Sequence, residues 1–235
     1  MQRVSWIGWG ICLGVFEKRL IEPELLDRAS PEEARPNLAD LVRINSNFGG
    51  HSTIRKMFQR VVHNGDNFTL LDIGAASGDT ARLLKRLYPS ASVTSLDCSP
   101  LNLEDAPPSK VIADAFNLPF LSGSFDFVLC SLFLHHFGDE QVVGLLRSFY
   151  RVARRALLVC DLERHIVSYC FLPGTKWFFG WQRITLHDGP VSVRAAFRSD
   201  ELVVLAKRAG IGDARISVHR PAFRLSLIAI KYDGP

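Results

Sequence analysis

The stretch Leu70-Leu71-Asp72-Ile73-Gly74-Ala75-Ala76-Ser77-Gly78-Asp79 decides how the whole chain is read. It is an apolar run ending in an acid and then a glycine-containing loop, the form of a buried parallel strand that turns into a helix. Glycine is needed where a backbone bends sharply or lies close to a ligand, which makes Gly74 and Gly78 the candidate turn residues. The dinucleotide pattern GxGxxG, aligned on Gly74, would need glycines where Ala76 and Asp79 stand. No Gly-Lys-Ser/Thr follows, so a phosphate-binding P-loop fails as well. Asp79 falls near a helix N-terminus, where a phosphate would need positive potential. A carboxylate there opposes phosphate and tolerates an ammonium group.

Outward from this loop, strands and helices alternate. Phe68–Ile73 is the first strand, and Thr80–Tyr88 is a helix stopped by Pro89. Val93–Asp97, Lys110–Asp114 and Phe125–Cys130 read as further strands, the last preceded by Ser122-Gly123-Ser124. Asp139–Arg155 is an amphipathic helix with Val142, Leu145, Leu146, Phe149 and Val152 on one face. The RVARR stretch at 151–155 reads as its solvated end. Ala156–Asp161 is a fifth strand, and this rhythm argues for a parallel sheet. Ser199 reads as the N-cap of a helix over Asp200–Ala209 that Gly210 terminates. Ala214–Val218 and Arg224–Lys231 follow one another directly, so they pair as a hairpin and make the last strand antiparallel.

The expected fold is therefore α/β: a Rossmann-like, seven-stranded, mostly parallel sheet with an antiparallel C-terminal strand and an α-helical N-terminal cap. The cap is assigned to residues 1–64. There Leu38, Leu41 and Val42 follow Pro36, and Ile54, Met57, Phe58 and Val61 recur at helical spacing. Gly49-Gly50 separates these two helices, with Ser52 as the candidate cap of the second. The Rossmann-like domain is assigned to residues 65–235, interrupted by a lid insertion at 162–198.

Asp97 ends the second strand 23 residues after Gly74, close to the ~20 at which an acid reaches ribose hydroxyls in such folds. With Ser95-Leu96-Asp97-Cys98-Ser99-Pro100, Asp114-Ala115-Phe116, Asn117-Leu118-Pro119-Phe120 and Ser124-Phe125-Asp126-Phe127-Val128 in order, the chain resembles the class I S-adenosylmethionine-dependent methyltransferases. Leu132-Phe133-Leu134-His135-His136-Phe137 is similar to small-molecule enzymes of the ubiquinone/menaquinone type. PELLD at 23–27, Arg43-Ile44-Asn45 and His187-Asp188-Gly189-Pro190 resemble bacterial polyketide-associated methyltransferases. The resemblance implies that S-adenosylmethionine is held by Asp72, Gly74, Ala75, Ser77, Gly78, Asp97, Cys98, Asp114, Ala115 and Phe116. It implies further that Asp114 accepts from the adenine amino group and Phe116 lies near the ring. Ala76 stands where many members have glycine; its methyl group fits if φ is negative.

The same resemblance implies methyl transfer, with a hydroxyl of a hydrophobic or aromatic natural product as the expected acceptor. Methylation of a quinone or polyketide ring carbon stays open, as does a non-catalytic cofactor-binding partner protein. An oxygen acceptor can need a base, and His135, His136 and His187 are the candidates, the first two just beyond the fourth strand. Tyr169, Phe171, Trp177, Phe178, Phe179 and Trp181 form an aromatic group in the insertion. It either stacks on a flat acceptor or seals a second small core.

A net charge of +4 with scattered Arg and Lys gives no case for nucleic acid. The Asn-Pro-Pro-Tyr motif of amino-methylating enzymes is also absent after the fourth strand, where Cys130-Ser131-Leu132-Phe133 stands. No Asp/Asn cluster there suits a catalytic metal, so none is expected. Five cysteines without a CxxC pair suggest reduced thiols and a cytoplasmic location. The apolar run Val4–Phe16, containing Trp6 and Trp9, is too short to span a bilayer and has no small-residue cleavage site. It reads as a substrate-covering helix, with membrane contact as the alternative.

Overall fold

The computed structural model describes residues 16–63 and 65–232; the run Val4–Phe16, except Phe16, and Cys12 lie outside them. Seven strands, β1 (Thr69–Ile73), β2 (Ser92–Asp97), β3 (Lys110–Ile112), β4 (Phe125–Ser131), β5 (Ala153–Leu162), β6 (Arg215–His219) and β7 (Arg224–Ile230), form one sheet in the order β3-β2-β1-β4-β5-β7-β6. Strands β1 to β5 pair in parallel, whereas β7 is antiparallel to both β5 and β6. The reversed strand is last in the chain but lies inside the sheet, because the hairpin returns β7 to β5 and leaves β6 at the edge.

Alternation along the strands sends side chains to two apolar faces, and helices cover both. Leu71, Ile73, Val128, Cys130, Leu157 and Val159 face α4 (Asp139–Val152) and α7 (Ser199–Arg208). Leu70, Phe127, Leu129, Leu158 and Cys160 face α2 (Gly50–Val61) and α3 (Asp79–Leu87). Residues 16–63 thus serve two layers. Helix α2 buries Ile54, Met57 and Phe58 against the sheet, while α1 (Pro31–Asn47) packs on α6 (Arg183–Ala195), which lies between β5 and α7 in the chain.

Several local expectations are corrected. Helix α1 starts at Pro31, before Pro36, because Ser30 and Glu33 form a capping box that satisfies its first turn. Gly49, at φ +95°, caps α2, and the Ser52 hydroxyl donates to the Gly49 carbonyl instead. Arg198 precedes α7, its N–H donating to Glu201 at 2.8 Å, and Ser199 is already helical. The RVARR stretch is a helix end only in its first two residues: α4 stops at Val152 and the chain enters β5 at Ala153 without a loop. The two arginines in the strand are held from β4, Arg154 by Asp126 at 2.5 Å and Arg155 over the Phe127 ring at 4.8 Å.

Gly49 also marks where α2 meets the β6–β7 turn. A Cβ at this position would lie 2.1 Å from Ala222 Cβ. Gly49→Ala is expected to cost about 2–4 kcal/mol, from the left-handed backbone and the overlap together. Urea unfolding checks it; an unchanged midpoint would refute the contact.

Candidate active site

The first glycine loop is built around a buried acid. Asp72 is 1% exposed and its Oδ2 has no hydrogen-bond partner. Burial raises its carboxyl well above the usual carboxylate range, and the nearby charges of Asp79 and Asp97 add to the effect. Beyond it Gly74 takes φ +68°, and a Cβ there would lie 2.5 Å from the Phe133 ring. Ala76 takes φ +44°, so the condition of a negative angle is not met. Its N–H donates to Asp97 Oδ2 at 3.1 Å, and that bond favours the strained turn.

Beside the loop lies a cavity of about 90 Å³, lined by Asp72, Gly74, Ala75, Ala76, Ser77, Asp79, Thr80, Ser131 and Leu132, with Leu38, Leu41, Val42 and Asn45 of α1 over it. Two carboxylates and no Lys or Arg face it, so it favours a cationic ligand over a phosphate. His51 Nε2 lies 2.9 Å from Asp79 Oδ2.

The other expected cofactor residues do not line this cavity. Asp97 accepts from Ala76 N–H, Ser99 N–H at 2.9 Å and Asn102 Nδ2 at 3.2 Å, which ties the tip of β2 to the loop. Cys98 is exposed, its thiol pushed up by partial burial and by Asp97. Asp114 lies past β3, not in it, and caps a single 3-10 turn over Ala115–Asn117. Its two oxygens accept from Phe116 N–H at 2.9 Å and Asn117 Nδ2 at 3.0 Å, each keeping a second lone pair. Ala115 is buried, and the half-exposed Phe116 meets Phe137 edge-on.

The fourth strand delivers the histidines. Leu132, at φ +51°, bends the chain out of β4 into the turn Leu134–His136. His135 is buried, and its Nδ1 lies 2.6 Å from Oδ1 of Asp161 on β5. Asp161 Oδ2 also accepts the His135 N–H at 3.3 Å. The His136 ring sits 4.3 Å from that of His135. Glu24 reaches over both, its Oε1 4.0 Å from His135 Nε2 and 3.9 Å from His136 Nδ1, and accepts a short hydrogen bond from Ser192. These donor atoms lie within 4.8 Å of one another, the only such group among the described residues with the donors of a divalent-cation site.

The electrostatics separate the two imidazoles. Burial works against a charged His135, but Asp161 and then Glu24 outweigh it and hold the imidazolium above its ordinary range. Burial, then the His135 charge, push His136 down to about 3. Burial also raises Glu24.

His187 is not shown in this cluster. Its Nδ1 lies 2.8 Å from Asp188, whose carboxylate also accepts the Leu25 and Leu26 N–H groups. The half-exposed His187 thus borders the clamp that seats the Glu24 segment. Sequence reading missed Asp161 and Glu24 as partners. Asp161 was visible only as a strand-end acid and Glu24 only as part of the PELLD stretch.

The aromatic group divides. Phe171, Phe179 and Trp181 pack around Phe48 of the N-terminal segment, with Trp181 donating to Thr175 at 3.1 Å. Asp40 of α1 accepts from Gln182 N–H and Thr185 Oγ1, both at 2.8 Å, locking the same contact. Trp177 and Phe178 stand outside it in solvent.

Residues 71–159 match the family described as "Methyltransferase domain". The chain is 32% identical over 146 residues to the demethylmenaquinone methyltransferase of Thermotoga maritima, which covers 60% of each protein. It therefore spans less than two thirds of that relative's length. Human N-acetylserotonin methyltransferase, solved with S-adenosylmethionine, superposes with a TM-score of 0.63 at 18% identity, covering 95% of this chain and 66% of that one. The plantazolicin methyltransferase, solved with S-adenosylhomocysteine, superposes with a TM-score of 0.62 at 15% identity, covering 86% and 96%. At these identities the structures establish a shared fold.

Proposed function

We infer that this chain is a class I S-adenosylmethionine-dependent methyltransferase that methylates a hydroxyl of a hydrophobic or aromatic small molecule, a natural product in type. The observation that carries this reading is the unpartnered Asp72 oxygen in a cavity with two carboxylates and no basic group. A buried carboxylate without a donor is costly, and a ligand ammonium would supply what is missing. The residues present therefore fit the amino-acid end of S-adenosylmethionine. Asp72, Gly74, Ala75 and Ser77 would hold that end, with Gly78, at φ +72°, turning the loop into α3; Asp97 and Cys98 would hold the ribose side, and Asp114, Ala115 and Phe116 the adenine.

When bound, S-adenosylmethionine supplies an electrophilic methyl group on a sulfonium. The chain's own part is to align the acceptor, exclude water and take up a proton. The Asp161–His135 pair is the proton acceptor of this reading: the carboxylate orients the ring through Nδ1 and leaves Nε2 on the side of Glu24 and His136. His187 acts indirectly, beside the Asp188 clamp. Apolar residues of α1 over the cavity and the Phe48 cluster favour a hydrophobic acceptor. A quinone-type ring is the second reading, favoured by the similarity to a demethylmenaquinone methyltransferase. The four described cysteines are all free, which supports a reducing, cytoplasmic setting. No helix among the described residues is long and apolar enough to cross a membrane.

The test is transfer of isotope-labelled methyl to a panel of phenols, quinones and polar alcohols, read by mass spectrometry with and without EDTA. Label on apolar hydroxyls, unaffected by EDTA, is the expected result. Cofactor binding with no labelled product would make the chain a non-catalytic partner. Turnover abolished by EDTA and restored by a divalent cation would reassign the Glu24–His135–His136 group to a metal.

A further inference from the structure

Helix α5 (Ile166–Phe179) is folded with its apolar side outward. In 14 residues it has one charged side chain, Lys176, and one buried residue, Leu172. Ile166, Val167, Cys170, Pro173, Gly174, Trp177 and Phe178 are all exposed. Their spacing of three or four residues places them along one face. Trp177 and Phe178 are each 85% exposed, the two largest apolar groups at the C-terminal end of the stripe. Ordinary surface helices present the opposite pattern, with charges outward.

Along the chain, the charge through this helix has one sign. From Arg164 to His187 there is no Asp or Glu. Lys176 and Arg183 are exposed beside the aromatic end, and Lys176 Nζ lies 5.0 Å from the Trp177 ring centre. A helix of this length extends about 21 Å, short of the roughly 30 Å hydrocarbon core, so it can lie in a bilayer surface but not cross it. Tryptophan and phenylalanine with flanking cations are the groups that settle at the headgroup boundary of an anionic bilayer.

We propose that the exposed face of α5 is a membrane-docking surface, which seats Trp177 and Phe178 in the interface of an anionic lipid bilayer with Lys176 and Arg183 at the headgroups. The helix begins five residues after Asp161. Docking would therefore bring the histidine cluster near acceptors dissolved in lipid, a consequence that rests on the function proposed above. The docking itself does not depend on that function.

The test is co-sedimentation of the 235-residue chain with vesicles of phosphatidylcholine alone or with phosphatidylglycerol, at low and high salt. Wild-type binding to the anionic vesicles is expected, weakened by salt. The double variant Trp177→Ser/Phe178→Ser should bind about tenfold or more weakly, since both inserted rings are lost. Circular dichroism and cofactor affinity of the variant should match wild type, because both side chains stand in solvent. Quenching of tryptophan fluorescence by brominated lipid should fall in Trp177→Phe. No wild-type binding at low salt would overturn the proposal. So would undiminished binding and quenching in the variants, which would put the anchor elsewhere, such as residues 1–15. A dimer that the double variant dissociates, with no vesicle binding, would make the face a contact between two copies. Failure of methyl transfer with intact vesicle binding would sink the proposed activity and leave the docking surface standing.

Discussion

On the proposed function, replacing Asp161 by Asn is expected to lower turnover with a hydroxyl acceptor by about 10²–10⁴-fold, the usual contribution of a positioned general base, and to leave cofactor affinity unchanged. Asp161 holds the His135 ring through Nδ1 at 2.6 Å, so the amide variant loses both the orienting charge and the correct tautomer. The pH profile carries the diagnosis. With Asp161 present the His135 imidazolium persists above its ordinary range, so the acid limb of kcat/KM lies above the reference value of about 6.5. Without the carboxylate, burial dominates and pulls the imidazole down, and the acid limb moves to lower pH.

Stability follows the same pair. Burial opposes ionisation of Asp161, but His135 outweighs it and holds the carboxyl below its usual range. Its contribution is therefore present above the unfolded carboxyl value and lost as pH falls through the folded one. The raised His135 contribution is present below the unfolded imidazole value and lost as pH rises through the folded one. The pair thus stabilises the fold most between roughly pH 4 and 6.5, and Asp161→Asn should lower Tm most in that window. An Asp161→Asn enzyme with wild-type turnover and an unmoved acid limb would remove the base from the mechanism.

Asp72→Asn is expected to separate stability from function. Desolvation raises the Asp72 carboxyl in the ligand-free protein, so its folded form holds a proton that the unfolded chain releases at lower pH. Such a group favours folding at low pH and progressively less as pH rises through its folded value. At pH 7 to 8 the amide should therefore raise the Tm of the ligand-free protein. Affinity for S-adenosylmethionine should fall on the order of 10²-fold, because the ammonium loses its buried partner. In the wild type, an arriving ammonium favours the ionised carboxyl, so binding releases a proton and strengthens with rising pH. Calorimetry in two buffers of different ionisation heat measures that proton. Equal affinities for wild type and Asp72→Asn would show that the ligand does not use this oxygen.

Much of this architecture is legible without coordinates. Apolar runs such as Leu70–Ile73 and the amphipathic face of Val142, Leu145, Leu146 and Phe149 report local periodicity, and that periodicity survives into β1 and α4. The acids at 72 and 97 were visible because strand ends follow from the same pattern, whereas Asp114 falls two residues past β3. The two partners of His135 were not visible. Asp161 is 26 residues away and Glu24 more than 100, and no spacing rule connects residues that only a sheet and a crossing segment bring together.

The RVARR stretch shows the limit most sharply. Three arginines beside an amphipathic helix look like its solvated end, since propensity registers only near neighbours. Pairing of Ala153 with Phe125, and of Arg154 with Asp126, makes the stretch from Ala153 onward the start of a strand instead. The order of hydrophobic, glycine and acidic residues was enough to determine a mostly parallel sheet and a glycine loop flanked by carboxylates. Which carboxylate meets which imidazole, and which aromatic rings are buried or left in solvent, was decided by tertiary contacts, because those energies exist only once distant segments share one low-dielectric space.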